Sequence, residues 1–199
     1  KLNPRIICFV VYGQNVNSGT TNMSGAIRLS SYLKNKNINA PIIFVGSHVQ
    51  ALPSQTLEKE KSIDIVCLNE GVYSIRNIFN LKDFTFENLK NVKGIYFRDK
   101  GKIIKNSPEI VVPNERMDID LPGYAWDLLP YKSERFDLYR SPLWHAEYKN
   151  EFRTPYAAIQ TSLGCQFACS FCMINIINRD DDDEIGVSGN YSKMRHWSP

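Results

Sequence analysis

Three short apolar runs constrain this chain more than any other feature: "RIICFVVYG", "APIIFVGSH" and "IDIVCLNEG". Each is a nearly continuous block of strand-forming residues. Such blocks suit strands buried on both faces, as in a parallel sheet covered by helices. After each block comes a polar stretch and then helical spacing, the pattern of an open α/β sheet. The loop "GQNVNSGTTN" follows the first run. A helix is predicted from there to about Lys36, with Met23, Ile27 and Leu33 on one face and capping candidates at Ser18 to Thr21. A short helix is predicted from Pro53, and a third over "VYSIRNIFN", with Val72, Ile75 and Phe79 on one face. Parallel strands joined by helices bring their carboxyl ends to one edge, where ligands bind. The loops at that edge are Tyr12–Thr21, Gly46–Leu52 and Asn69–Val72. A doubly wound domain normally has about five strands, so early strands are expected to be missing from this chain. Both ends are expected to be cut from a longer protein.

The middle changes character. "VKGIYFRDKGKIIKN" is predicted to be a hairpin turning at Asp99-Lys100-Gly101, with Gly101 at positive φ. The stretch from Ser107 to Pro155 is interrupted by six prolines and studded with aromatic residues, Trp126 and Trp144 among them. It reads as an ordered connector, because a flexible linker would not carry so many aromatics. "YAAIQTS" is a new strand that runs into a cysteine-rich loop; "CMINIIN" begins a helix after it, and "RDDDDE" is a solvated loop.

That loop holds Cys165, Cys169 and Cys172 at C-x3-C-x2-C spacing. Three thiolates on one loop can converge on one metal centre. A structural zinc site wants four protein ligands, and electron-transfer iron–sulfur clusters usually take four cysteines. Here the nearest later candidate is His196, and no second C-x2-C follows. Three sulfurs on a four-iron cubane would leave one iron open to a small molecule. The other two cysteines, Cys8 and Cys67, sit inside apolar runs and read as buried small hydrophobes. An odd, clustered count argues against a disulfide framework and for a reduced, cytoplasmic setting. The formal charge of +3 is too small and too evenly spread to point to nucleic acid. No apolar run reaches the ~18 residues of a membrane span, and no signal-peptide pattern opens the chain.

The segment Gly164-Cys165-Gln166-Phe167-Ala168-Cys169-Ser170-Phe171-Cys172 resembles the signature of the radical S-adenosylmethionine (radical SAM) enzymes, C-x3-C-x-aromatic-C at the end of a first barrel strand. The resemblance implies that Cys165, Cys169 and Cys172 ligate a 4Fe-4S cluster. It implies also that Phe171 stands at the aromatic position beside the cofactor, and that S-adenosylmethionine binds the open iron and is cleaved to a 5′-deoxyadenosyl radical. Upstream, "VGSHVQALPSQTLEKEKSIDIVCLNEGVYSI" resembles the cobalamin-binding domain that precedes the barrel in one subgroup. Gly46, His48 and Pro53 match its first part, with Ser47 in place of a second glycine. Asp64, Glu70 and Gly71 match its second part; Asn69 replaces a glycine, and Val72 stands where a second acid is usual. By that resemblance Gly46, Ser47, His48, Glu70 and Gly71 line a cobalamin cleft, with no protein histidine ligating cobalt.

The expected organisation is therefore a cobalamin-binding α/β domain over residues 1–90, a partial doubly wound (Rossmann- or flavodoxin-like) parallel sheet. A hairpin and aromatic connector spans 91–154, and the start of a radical SAM (β/α) barrel spans 155–199. The resemblance implies methyl transfer to an unactivated carbon of a small-molecule, natural-product-like substrate, with an external electron donor of the flavodoxin or ferredoxin type. No catalytic residue is assigned within this stretch. The alternatives are a non-catalytic fragment, a module that binds cobalamin alone, and a zinc-binding cysteine loop.

Overall fold

The computed structural model describes residues 3–12, 18–130, 133, 159–167 and 194–199. The three apolar runs form β1 (Ile7–Val10), β2 (Ile42–Val45) and β3 (Ile65–Cys67), paired in parallel. Every residue of β2 and β3 is buried. Because side chains alternate across a strand, Ile42 and Phe44 join Met23, Val49, Leu57 and Ile63 on one face. Ile43, Val45, Ile65 and Cys67 join Ile78, Leu89 and Val92 on the other. Each fully buried side chain of this size contributes about 1.5–3 kcal/mol, so the sheet is held by two apolar layers.

β1 departs from the expectation of burial on both faces. It is the edge strand. Ile7 and Phe9 pack on the first layer, where the Phe9 ring stacks on Phe44 at 4.8 Å. Cys8 and Val10 point the other way and are exposed. The second layer runs over β2, β3 and the strand beyond them, and takes only Ile6 from this end of the chain. Cys8 is thus not the buried residue that its apolar run predicts, whereas Cys67 is fully buried.

The connecting helices are α1 (Ser18–Asn35), α2 (Ser47–Ala51), α3 (Pro53–Lys59), α4 (Val72–Phe79) and α5 (Phe86–Leu89). The stretch Gly46–Leu52, read as a loop, is mostly the short α2. Leu52 breaks it from α3, with φ −132° and ψ 53°, because a residue before proline is pushed out of the helical region. α4 buries Tyr73, Ser74 and Ile78. Phe79, predicted on the buried face, is 56% exposed; it lies one residue past Ile78 and so turns about 100° away from it.

The hairpin is β4 (Ile95–Asp99) and β5 (Lys102–Lys105). Lys100 and Gly101 carry positive φ of 45° and 81°, the twist that a two-residue hairpin turn requires. β4 pairs antiparallel with β3, placing Tyr96 opposite Val66, so the hairpin is the fourth and fifth strand of one sheet ordered β1-β2-β3-β4-β5. At the amino ends of the strands, Asp64 Oδ2 accepts from Lys34 Nζ at 2.6 Å and from the Ile42 backbone N–H at 2.7 Å. Asp64 therefore ties α1 to β2 at the edge opposite the loops that follow the strands' carboxyl ends.

Beyond the sheet come a 3-10 turn (Asn114–Arg116), α6 (Met117–Asp120) and a second 3-10 turn (Trp126–Leu128). β6 (Ser162–Leu163) and β7 (Arg195–His196) pair antiparallel in a second, two-stranded sheet. Among the described residues no helix is long and apolar enough to cross a membrane. The expected helix after Cys172 and the acidic "RDDDDE" loop lie outside the described residues.

Candidate functional site

At the carboxyl edge of the parallel strands, β1 delivers Tyr12, β2 delivers Gly46 to Gln50, and β3 delivers Asn69 to Gly71. Gly46 has φ 144°, and a Cβ there would lie 2.1 Å from the Val11 carbonyl oxygen. The glycine is what lets β2 turn into α2 hard against the end of β1. Gly71, at φ 71°, starts α4 in the same confined way, with Val45 Cγ2 2.7 Å from where its Cβ would be. Asn69 also adopts positive φ, 53°. Asparagine tolerates that region better than most residues, which accounts for its standing where the resembling subgroup has glycine. Its side-chain amide donates to the Glu109 carbonyl at 2.6 Å.

These turns gather polar groups. Ser47 is buried at the start of α2 beside Gly19 of α1; a Cβ on that glycine would meet Ser47 Oγ at 2.1 Å. His48 is half-buried, with Nδ1 3.0 Å from Thr20 Oγ1. Gln50 Nε2 donates to the Tyr12 hydroxyl at 3.4 Å. Gln50 Oε1 is buried with no hydrogen-bond partner among the described residues. Although Tyr12 keeps 41% of its surface exposed, burial of its hydroxyl end pushes its pKa up to about 12, with the Glu70 carboxylate adding to the rise. Tyr12 is therefore a neutral hydrogen-bonding group at ordinary pH. Sequence reasoning marked Gly46, Ser47, His48, Glu70 and Gly71 but assigned nothing to Tyr12 or Gln50. Position was the available signal, since both fall in the loops it placed at this edge.

Glu70 has a partner that sequence reasoning missed altogether. Its carboxylate accepts from both terminal nitrogens of Arg195: Nη1 donates to Oε2 at 2.9 Å and Nη2 donates to Oε1. Arg195 Nη1 also donates to the Val112 carbonyl at 2.8 Å. The two side chains are 14% and 6% exposed. The partners are 125 residues apart in sequence, so nothing local in the chain announces the pair.

The second part of the site begins on β6. Leu163 pairs with Arg195 of β7. Gly164 follows at φ 86°, then Cys165, half-buried, whose Sγ accepts the Phe167 backbone N–H at 3.5 Å. Backbone N–H bonds to sulfur are the outer contacts that tune thiolate metal ligands. Cys169, Cys172 and Phe171 lie outside the described residues. Cys67, by contrast, is sealed in the sheet core, and burial drives its thiol far above the usual range. It offers no thiolate to a metal.

Beside β6 and β7 lies a cavity of about 780 Å3, bordered by Leu121, Tyr124, Thr161, Leu163 and Trp197. It adjoins the strand that leads to Cys165. The two parts of the site thus share one neighbourhood, joined through Arg195.

Two solved structures of the cobalamin-dependent S-adenosylmethionine radical enzyme OxsB resemble this arrangement, one with aqua-cobalamin and S-adenosylmethionine bound and one with aqua-cobalamin alone. Their TM-scores are 0.59 and 0.58 at 20% identity, and each alignment covers 98% of this chain. The chain shares the fold of the matched part of that enzyme. An uncharacterized methyltransferase of Pyrococcus horikoshii is 27% identical over 157 residues, or 79% of this chain. The chain spans 30% of that relative's length and 22% of OxsB. No protein-family model matches the chain.

Proposed function

We propose that this chain is part of a cobalamin-dependent radical SAM enzyme that transfers a methyl group to an unactivated carbon of a small-molecule substrate. In this reading Cys165, Cys169 and Cys172 hold a 4Fe-4S cluster with one iron left for S-adenosylmethionine, beside Phe171. The carboxyl edge of the sheet holds cobalamin. When bound, the cluster with S-adenosylmethionine supplies a 5′-deoxyadenosyl radical, and the cobalamin supplies the methyl group. An external flavodoxin- or ferredoxin-type donor provides the electron.

The observation that carries the reading is the junction itself. One ion pair links the ligand edge of a parallel sheet to β7, which pairs with the strand that leads to Cys165 of the C-x3-C-x2-C loop. The likeness in fold to an enzyme that binds both cofactors supports it. The described residues offer contacts to both groups. Gln50 Oε1 is a buried acceptor in want of a donor, and the amide arms of cobalamin carry N–H donors. Cys165 already takes a backbone N–H at its sulfur, as cluster ligands do. Around these atoms the chain's own work is positional. Gly46 and Gly71 let the loops turn tightly, Ser47 and Thr20–His48 fix α2 against α1, and Tyr12 presents an uncharged hydroxyl.

Anaerobic reconstitution with iron and sulfide tests the proposal. A brown species absorbing near ~400 nm with about four irons per chain is expected, and Cys165→Ala is expected to abolish it. Stoichiometric zinc uptake without that species would contradict the proposal. So would a cluster that survives Cys165→Ala at full iron content.

A further inference from the structure

We infer that the Glu70–Arg195 pair is a positioning latch that fixes the spacing between the sheet's ligand edge and the cysteine loop. The inference rests on the proposed pair of cofactors and adds a bridging role for Glu70, at the ligand edge, and for Arg195.

Glu70 sits in the turn between β3 and α4, within the ligand edge. Arg195 sits on β7, directly across from Leu163, and Cys165 is two residues beyond Leu163. The path from edge to cysteine is therefore one side-chain pair, one strand pairing and one glycine turn. Its first link is a guanidinium fork meeting a carboxylate through two bonds, the geometry that best fixes both distance and orientation. A third bond, to the Val112 carbonyl, fixes the guanidinium from the connector side.

The surroundings agree with a latch. Residues 196–198 are stitched to the connector: the His196 N–H donates to Asn114 Oδ1 at 2.8 Å, Trp197 Nε1 to the Leu121 carbonyl at 2.6 Å, and Ser198 Oγ to Asp118 Oδ2 at 2.7 Å. Leu163 of β6, and Trp197 just after β7, pack on a small core of Tyr73, Val112 and Met117. Burial alone does not require charge here. Apolar side chains of similar volume would hold such elements together as firmly or more so. Directionality is what the charged fork adds. The buried Arg195 Nε has no partner among the described residues, so this charge stays buried while one of its donors goes unpaired. A reaction between two bound cofactors needs a fixed separation, and supporting contacts left to chance loosen such geometry.

The test is pulsed electron paramagnetic resonance on the holoenzyme, reading the distance distribution between cob(II)alamin and the reduced cluster. The variants are Arg195→Ala, Arg195→Lys, Glu70→Ala and the swap Glu70→Arg with Arg195→Glu. The wild type is expected to give one narrow distribution. Arg195→Ala is expected to keep both cofactors at wild-type stoichiometry with a distribution roughly twofold wider, and Glu70→Ala is expected to widen it as much. Arg195→Lys is expected to fall between, and the swap to narrow the distribution again. A purely structural role would lower stability without widening the distance at full cofactor loading. Unchanged widths in both alanine variants would overturn the latch and leave the proposed function standing. A loss of cobalamin affinity confined to Glu70→Ala would overturn it too, by making Glu70 a direct contact. A wild type that binds only one of the two cofactors would overturn the proposed function, and the latch with it. Should the alanine variants fail to fold, a lysine variant that matches wild-type width, or a swap that stays as wide as a broken pair, would overturn the latch.

Discussion

Gly46 carries more of the fold than its size implies. Its φ of 144° is open to few side chains, and the Val11 carbonyl occupies the space that a Cβ would take. Gly46→Ala is expected to destabilise the chain by about 2–4 kcal/mol through backbone strain and overpacking. Urea unfolding checks this: the midpoint should fall with the slope unchanged. An unaltered midpoint would mean that β1 and α2 pack less closely than described. The sequence had marked this glycine by resemblance as a cofactor residue, and its conformational role comes from its neighbours. Cys67 shows the converse case. Its apolar run predicted burial correctly, because β3 is an inner strand and Cys67 packs with Ile78, Leu89 and Val92 in the second layer. The same argument failed for Cys8. An apolar run reveals a strand, but whether both of its faces are covered depends on elements far along the chain.

At the scale of elements, local patterning located β1, β2, β3, α1, α3, α4 and the hairpin, because each is written in adjacent residues. It missed α2, whose five residues show no full helical repeat. It placed the hairpin outside the sheet, because strand pairing is not a local property. α6 and β7 were illegible for the same reason: their anchors are distant. Asp120 of α6 accepts from the Arg116 side chain and from the Tyr73 hydroxyl of α4 at 2.7 Å. The Arg116 hydrogen bonds, followed by that of Tyr73, hold its carboxyl down at about 2. The lowered value means that Asp120 favours the folded form wherever it is ionised in both states. That contribution is complete above the unfolded carboxylate range, near ~4, and is lost as the pH falls toward about 2. Asp120→Asn should therefore flatten the acid-unfolding curve between those values and leave its shape near neutrality unchanged. An acid limb of unaltered steepness would show that α6 is not held through this carboxylate.

For the whole molecule, a buried ion pair ties the carboxyl edge of the parallel sheet to β7, the partner of the strand that leads to Cys165. The cysteine spacing was legible in the sequence, as were the edge loops. The link between them was not, since Glu70 and Arg195 have no proximity along the chain. The fold likeness to OxsB extends over 98% of this chain. A three-thiolate site differs from a four-ligand site in one measurable respect: its fourth metal corner accepts an outside molecule. Electron paramagnetic resonance of the reduced, reconstituted protein, recorded with and without S-adenosylmethionine, tests that property most directly. The account predicts that the cluster signal shifts when S-adenosylmethionine is added and returns when it is removed. A cluster signal indifferent to saturating S-adenosylmethionine would contradict the account.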